Sequence, residues 1–126
     1  MTTLVFLLGV LALRLDAGQA VQASPKIDIV SVTGCLKEAS PNTWTLTVAT
    51  DPVPSSANAP AAKELPAKPP EGRNTFRLIG VTEFNLPAHR NHTVVIKGLF
   101  IEATPVSRVN VTSVTAVSPA CAPAGK

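Results

Sequence analysis

The chain is poor in aromatic residues and has no recognisable catalytic motif. Aromatics make up 4% of its 126 residues, with one Trp and no Tyr. It has no Gly-x-Ser-x-Gly elbow and no glycine-rich phosphate loop, and its carboxylates are scattered without an obvious acid–base pair. A Cys–His couple is also excluded if both cysteines are oxidised. The sequence therefore predicts a protein that is not an enzyme, with no catalytic residues and no cofactor.

Nucleic acid is not an expected partner either. Single-strand binders combine a basic groove with exposed aromatic rings on which bases stack. The net charge here is only +3, the basic residues are spread evenly along the sequence, and Trp44 and Phe76 fall on predicted inward faces. The longest apolar run, residues 4–13, is too short for a bilayer span, which needs about 20 residues. We expect no stable membrane span once this segment is removed.

That apolar run is typical of a secretory signal peptide. Small residues follow it, which predicts cleavage after Ala20 or after Ala23, and a single domain is predicted over residues 24–126. The first three residues contain no Lys or Arg, which counts against a signal and leaves a packed N-terminal helix as the alternative. The sequence predicts a signal peptide over residues 1–23 and a periplasmic or secreted protein.

The only two cysteines, Cys35 and Cys121, frame the part of the chain that is expected to fold. In an exported protein such a pair most often forms a disulfide. The alternative is a lipoprotein processing box at Val32-Thr33-Gly34-Cys35. In lipoproteins the box directly follows the apolar run, whereas here 21 residues intervene, several of them charged. The sequence therefore favours the disulfide.

Period-two patterns of β-branched and aromatic residues predict five strands. Parity slips indicate bulges near Ile29 and Thr112, and Gly34 indicates a close backbone approach. Gly98 is predicted to interrupt the fourth strand. A short helical segment is expected between strands three and four, ended by Pro87. The predicted strands are Ile27–Leu36, Thr43–Thr50, Thr75–Gly80, Thr93–Glu102 and Val109–Ser118.

Residues 51–72 differ from the rest because they hold half of the chain's twelve prolines. Proline removes backbone donors, so this segment is predicted to be a Pro/Ala-rich surface loop. Five short strands with a helix between the third and fourth match the plan of an OB-fold, a small barrel. An immunoglobulin-like sandwich is disfavoured, because Trp44 follows Cys35 too closely and no Tyr precedes Cys121.

Several segments carry a resemblance to a known group. They are Val-Thr-Gly-Cys-Leu at 32–36, Trp-Thr-Leu-Thr at 44–47, Phe-Arg-Leu-Ile-Gly at 76–80, and the His-Arg-Asn-His of 89–92 that leads into Thr-Val-Val-Ile-Lys-Gly. In this order, with a Val-rich strand before Cys121, the chain resembles small secreted bacterial proteins of unknown function with an OB-like barrel. The resemblance implies the fold and is silent on activity.

The predicted function is an exported, non-catalytic binding module, monomeric, for a peptide, a protein or a small molecule. The outward face of strands two and three supplies the candidate ligand residues Thr45, Thr47, Arg77 and Ile79. One alternative is a structural or envelope-interaction protein that uses the Pro/Ala-rich loop. A second is a metal-linked role through His89 and His92, which lack the third and fourth ligands that such a site normally needs; no metal site is predicted.

Overall fold

The computed structural model describes residues 28–68 and 70–121. Its regular structure is almost all β, which confirms the predicted class, with 3₁₀ turns at Ala62–Glu64 and Leu86–His89. No helix in this part of the chain is long and apolar enough to cross a bilayer. The predicted signal peptide and its cleavage points lie outside the described residues. The strands are β1 (Ile29–Ser40), β2 (Thr43–Ala49), β3 (Val53–Pro54), β4 (Asn74–Ile79), β5 (Thr93–Ile101) and β6 (Arg108–Ser118).

The strands form one six-stranded sheet that closes on itself. Its order is β2-β4-β6-β5-β1-β3, and β2 also pairs with β1. Strands β1, β2, β4, β6 and β5 therefore make a ring. The β4–β6 pairing is parallel and the other pairings are antiparallel. This arrangement differs from the two packed sheets of an immunoglobulin-like sandwich.

Strand β1 is long because it pairs with two different neighbours. Residues Ile29–Cys35 pair with β5, and the stretch from Cys35 onward pairs with β2. Gly34 lies at this change of partner, where a Cβ atom would approach the Thr47 carbonyl oxygen to 2.7 Å, so the predicted close approach is confirmed. The bulge predicted near Ile29 is absent from the pairing with β5, whose register is continuous. The irregularity lies instead in the pairing with β2, between Glu38 and Ser40.

Strand β2 follows its predicted alternation only in part. Trp44 and Leu46 are buried, but Val48 adopts a φ of 50° and the register shifts before Ala49, which is buried in its place. The chain then returns to β1 as β3, opposite Val30 and Ser31. Strand β3 lies in the segment predicted to be a loop. The prediction of five strands therefore missed it, and the sheet has six. Proline is tolerated there because β3 is an edge strand.

The core lies inside the ring. Among its fully buried side chains are Leu36, Leu46, Ile96 and Val109, one from each of four strands. Leu86 joins them from the 3₁₀ turn between β4 and β5. That turn confirms a short helical element at this position, but Pro87 lies in its first turn rather than ending it. Proline fits there because the first N–H groups of a helical turn have no partner within it.

Two predictions concern β5 and β6. The bulge near Thr112 is confirmed, and the interruption of the strand at Gly98 is wrong. The register of the two strands shifts so that Lys97 faces Ser113 while Gly98 faces Val111, which leaves Thr112 as the extra residue of the predicted bulge. Gly98, however, does not interrupt β5. It continues the strand, and the backbone of β6 packs directly over it, where a Cβ atom would clash with the Asn110 carbonyl.

The predicted disulfide between Cys35 and Cys121 is present. Their Cα atoms are 5.4 Å apart, and 86 positions separate them in sequence. The bond joins the bend of β1 to the segment after β6, and the Thr93 hydroxyl donates to the Ala120 carbonyl nearby (2.8 Å). Because Cys35 is buried and its sulfur is bonded, it has no free thiol for a lipid.

Candidate ligand-binding groove

A groove of about 470 Å³ lies on the outer face of β2, β4 and β6. Its floor comes from side chains that alternate with the buried residues of these strands, since successive residues of a strand point to opposite faces. Its wall is the connection between β5 and β6. The lining residues are Thr45, Thr75, Arg77, Ala103, Thr104, Pro105, Val106 and Arg108.

Strand register sets the polar groups of this face in a row. Lys37 of β1 is the partner of Thr45, Thr45 is the partner of Arg77, and Arg77 is the partner of Arg108. Partners in adjacent strands lie about 5 Å apart and point to the same face. Three cations that are far apart in sequence therefore lie in a single row across four strands.

The wall of the groove is held at both ends by hydrogen bonds. The Ala103 N–H donates to the Ser107 hydroxyl (3.2 Å), which itself donates back to the Ala103 carbonyl (3.4 Å). The Arg77 N–H donates to the Ser107 carbonyl (3.0 Å) and so ties the wall to the floor. Pro105 follows a cis peptide bond, and Val106 is left 38% exposed. The groove thus has an exposed apolar wall fixed to a polar floor.

The charge of the groove is uncompensated. No carboxylate lines it, and both arginine side chains are exposed. Across residues 28–68 and 70–121 the one ion pair joins Arg90 to Glu38 (3.1 Å), and neither Arg77 nor Arg108 donates a side-chain hydrogen bond. Like charges on directly facing residues repel. Because neither guanidinium group has a partner among the described residues, Arg77 and Arg108 are free to bind an anion.

Two of the four predicted ligand residues belong to the groove. Thr45 and Arg77 line it, whereas Thr47 and Ile79 do not. The Thr47 hydroxyl donates instead to the Cys35 carbonyl (3.5 Å), and Ile79 is half-buried beside β6. Sequence reasoning missed Arg108 together with the whole wall, because nothing in the local pattern shows that β6 lies parallel to β4.

The two histidines lie elsewhere, beside a cavity of about 300 Å³ at the end of β6. The ring centroids of His89 and His92 are 6.2 Å apart, in an edge-to-face arrangement. Within the described part of the chain, no group of three or more His, Cys, Asp or Glu side chains is placed to hold a metal ion. A structural zinc site normally has four such ligands.

Another cavity, of about 380 Å³, opens between the β1–β2 turn and the segment after β4. Trp44 lies beneath it but is only 4% exposed. The Arg90 guanidinium lies 5.8 Å from the centre of the Trp44 ring while it pairs with Glu38. The charged groups of this region are thus already paired with each other, unlike those of the groove.

None of the aromatic side chains in the described residues offers an exposed stacking surface. Trp44 and Phe76 are buried, and Phe84 and Phe100 are half-buried against the core. Phe76 and Phe100 pack edge to face with ring centroids 5.9 Å apart. Comparison with known proteins gives no further guide to the ligand, since no family model, curated protein or solved structure matches this chain.

Proposed function

We propose that this chain is an exported, non-catalytic binding domain that holds a small ligand in the groove above β2 and β4. The observation that carries the proposal is the groove itself. It combines two arginines that have no ion-pair partner among the described residues with an exposed apolar wall. Its volume is within the range of about 300–1,000 Å³ that is usual for small-molecule sites.

The strand order supports an OB-like barrel. An OB-fold is a five-stranded Greek-key barrel that binds ligands on the face of its second and third strands, beside the loop between its fourth and fifth. If β3 is set aside as an addition to the edge of β1, the second and third strands here are β2 and β4, and the fourth and fifth are β5 and β6. The groove occupies the corresponding face and loop. The exposed arginines add a specific site to this likeness of fold.

Two features support export. The apolar run at residues 4–13 is typical of a signal peptide, and disulfides such as Cys35–Cys121 persist mainly in oxidising compartments. We therefore propose the periplasm or the extracellular space as the place where the ligand is met.

The test is a ligand screen read out residue by residue. The oxidised, exported protein would be titrated with a library of neutral and charged small molecules while backbone amide NMR shifts are followed. We expect the shifts of genuine ligands to centre on Thr45, Thr75 and Val106. A Thr75→Trp variant, which fills the groove floor from an exposed position, should abolish them.

Ser56→Trp is the matched control, because Ser56 is also exposed but lies in the insert between β3 and β4. It should leave binding unchanged. If ligands instead shift residues around His89, or if Thr75→Trp binds as the parent does, the groove is not the binding site.

An envelope-interaction role for residues 51–72 is the second candidate, and one observation favours it. Val53, on edge strand β3, is 54% exposed, the highest value among the large apolar side chains of the described residues. A clean test deletes residues 56–71 and replaces the exposed Val53 with Ser in the same variant. Ser55 and Gly72 are kept because their N–H groups donate to the carbonyls of Ile29 (2.9 Å) and Val48 (3.0 Å). Recovery of the same partner from envelope extract after this deletion would refute the role.

A further inference from the structure

We infer that the groove recognises a small organic acid, with the carboxylate held by Arg77 and Arg108 and the apolar body against Pro105 and Val106. This inference rests on the proposed function and adds the chemical class of the ligand. Its first support is that Arg77 and Arg108 are register partners on neighbouring strands and that no carboxylate of the described chain neutralises either of them.

Geometry favours a carboxylate between the two arginines. The guanidinium group is a planar fork of N–H donors that suits the two oxygens of a carboxylate, and Arg77 and Arg108 present two such forks from neighbouring parallel strands. Thr75 adds a hydroxyl group on the same floor, whereas the Thr45 hydroxyl already donates to the Lys37 carbonyl (3.5 Å). An anion placed there relieves the repulsion and gains charge-assisted hydrogen bonds from both sides.

Lys37, at the β1 end of the row of cations, is less available to a ligand than the two arginines. Its ammonium group already donates to the Asn91 side chain (3.0 Å), and it does not line the groove. Lys37 therefore adds positive potential at the edge of the site without competing for direct contact. The direct contacts fall to the two arginines, beside the wall.

The wall argues for an organic acid rather than for a bare inorganic anion. Ala103, Pro105 and Val106 give the groove an apolar side that an inorganic phosphate would leave uncovered. Burial of a short alkyl chain against that side contributes affinity in proportion to its area. Single-stranded nucleic acid fits less well, since none of the described aromatics is exposed for stacking.

The experiment compares matched probes on the oxidised protein by NMR titration and calorimetry. Hexanoate supplies a carboxylate and an alkyl chain, hexanamide removes the charge, acetate removes the chain, and inorganic phosphate keeps only an anion. We expect hexanoate to bind in the groove about tenfold or more tightly than hexanamide, the factor that corresponds to one charge-assisted hydrogen bond. Acetate and phosphate should also bind about tenfold or more weakly than hexanoate, because they lack the methylene groups that pack against the wall.

Variants then assign the contacts. Arg108→Gln should weaken hexanoate binding by about tenfold or more, while Arg73→Gln, a change at an exposed arginine outside the groove, should leave it unchanged. Val106→Ser should weaken hexanoate binding but not acetate binding. Denaturation curves of each variant confirm that it remains folded, so a loss of binding reports the contact.

The outcomes separate this inference from the function on which it rests. Equal binding of hexanamide in the groove overturns the organic acid but leaves the groove as the site. Phosphate binding that is as tight as hexanoate binding and is unchanged by Val106→Ser overturns the organic acid in the same way. A single-stranded oligothymidine, titrated as a fifth probe, also overturns it if it binds in the groove more tightly than hexanoate. Shifts that centre away from the groove for every probe overturn the proposed function as well.

Discussion

Reduction of the Cys35–Cys121 disulfide should destabilise the protein strongly without preventing its strands from pairing. Cys35 faces both Thr47 of β2 and Thr93 of β5, so it lies where β1 changes partners. Cys121 lies just after β6. The bond therefore joins the bend of the first strand to the end of the last one, and in the unfolded chain it closes nearly the whole domain into a loop.

The magnitude follows from the length of that loop. With a sequence separation of 86 between the cysteines, the chain-entropy relation gives about 4–5 kcal/mol of stabilisation, as an upper estimate. Single domains are stable by only about 5–15 kcal/mol. Reduction should thus remove a large share of the free energy of unfolding.

The assay is urea denaturation of the oxidised and reduced protein, followed by the fluorescence of Trp44, which is the only tryptophan. The reduced protein should unfold at lower urea and with a larger m-value, because its unfolded chain is less compact. Cys121→Ala should match the reduced parent, since Cys121 is partly exposed. A change below about 1 kcal/mol on reduction, well under the loop estimate, would refute the reasoning.

Three further predictions concern single side chains, each measured by urea denaturation. Gly98→Ala should destabilise by about 1–3 kcal/mol or more because its methyl group meets the backbone of β6, and a neutral result would contradict that packing. Ile96→Ala should cost about 2–5 kcal/mol, whereas the exposed Val53→Ala should stay within about 0.5 kcal/mol. In the absence of ligand, Arg108→Gln should raise the free energy of unfolding by about 0.2–1 kcal/mol. Added salt should diminish this gain in stability, and the control Arg73→Gln should not show it.

Five of the six strands were predictable from sequence because they are rich in β-branched residues, and in β2, β4 and β6 buried residues also alternate with more exposed ones. The boundaries of the predicted strands agree with β2, β4, β5 and β6 to within one residue. Two features lay beyond such reasoning. The left-handed backbone at Val48 breaks the alternation. Strand β3 is only two residues long, one of them a proline, so it is too short to show a period-two pattern.

The site was harder to predict than the fold. Thr45 and Arg77 could be named because they lie on the outward face of strands that the alternation identifies. Arg108 could not, because its position beside Arg77 depends on the parallel pairing of β4 and β6, which are far apart in sequence. The even spread of basic residues along the chain pointed away from any cluster. Only the closed ring brings three of them into one row.

The arginine pair also lies at the shortest junction of the ring. The pairing of β4 with β6 runs only from Arg77–Arg108 to Ile79–Asn110, whereas β5 pairs with β6 along its whole length. Like charges at partner positions are expected to weaken this junction. A ligand that accepts hydrogen bonds from both would hold the two strands together, and because it binds only the folded ring, it stabilises the protein by mass action. The uncompensated charge that lowers stability in the free protein is thus the same charge that would couple ligand binding to closure of the ring.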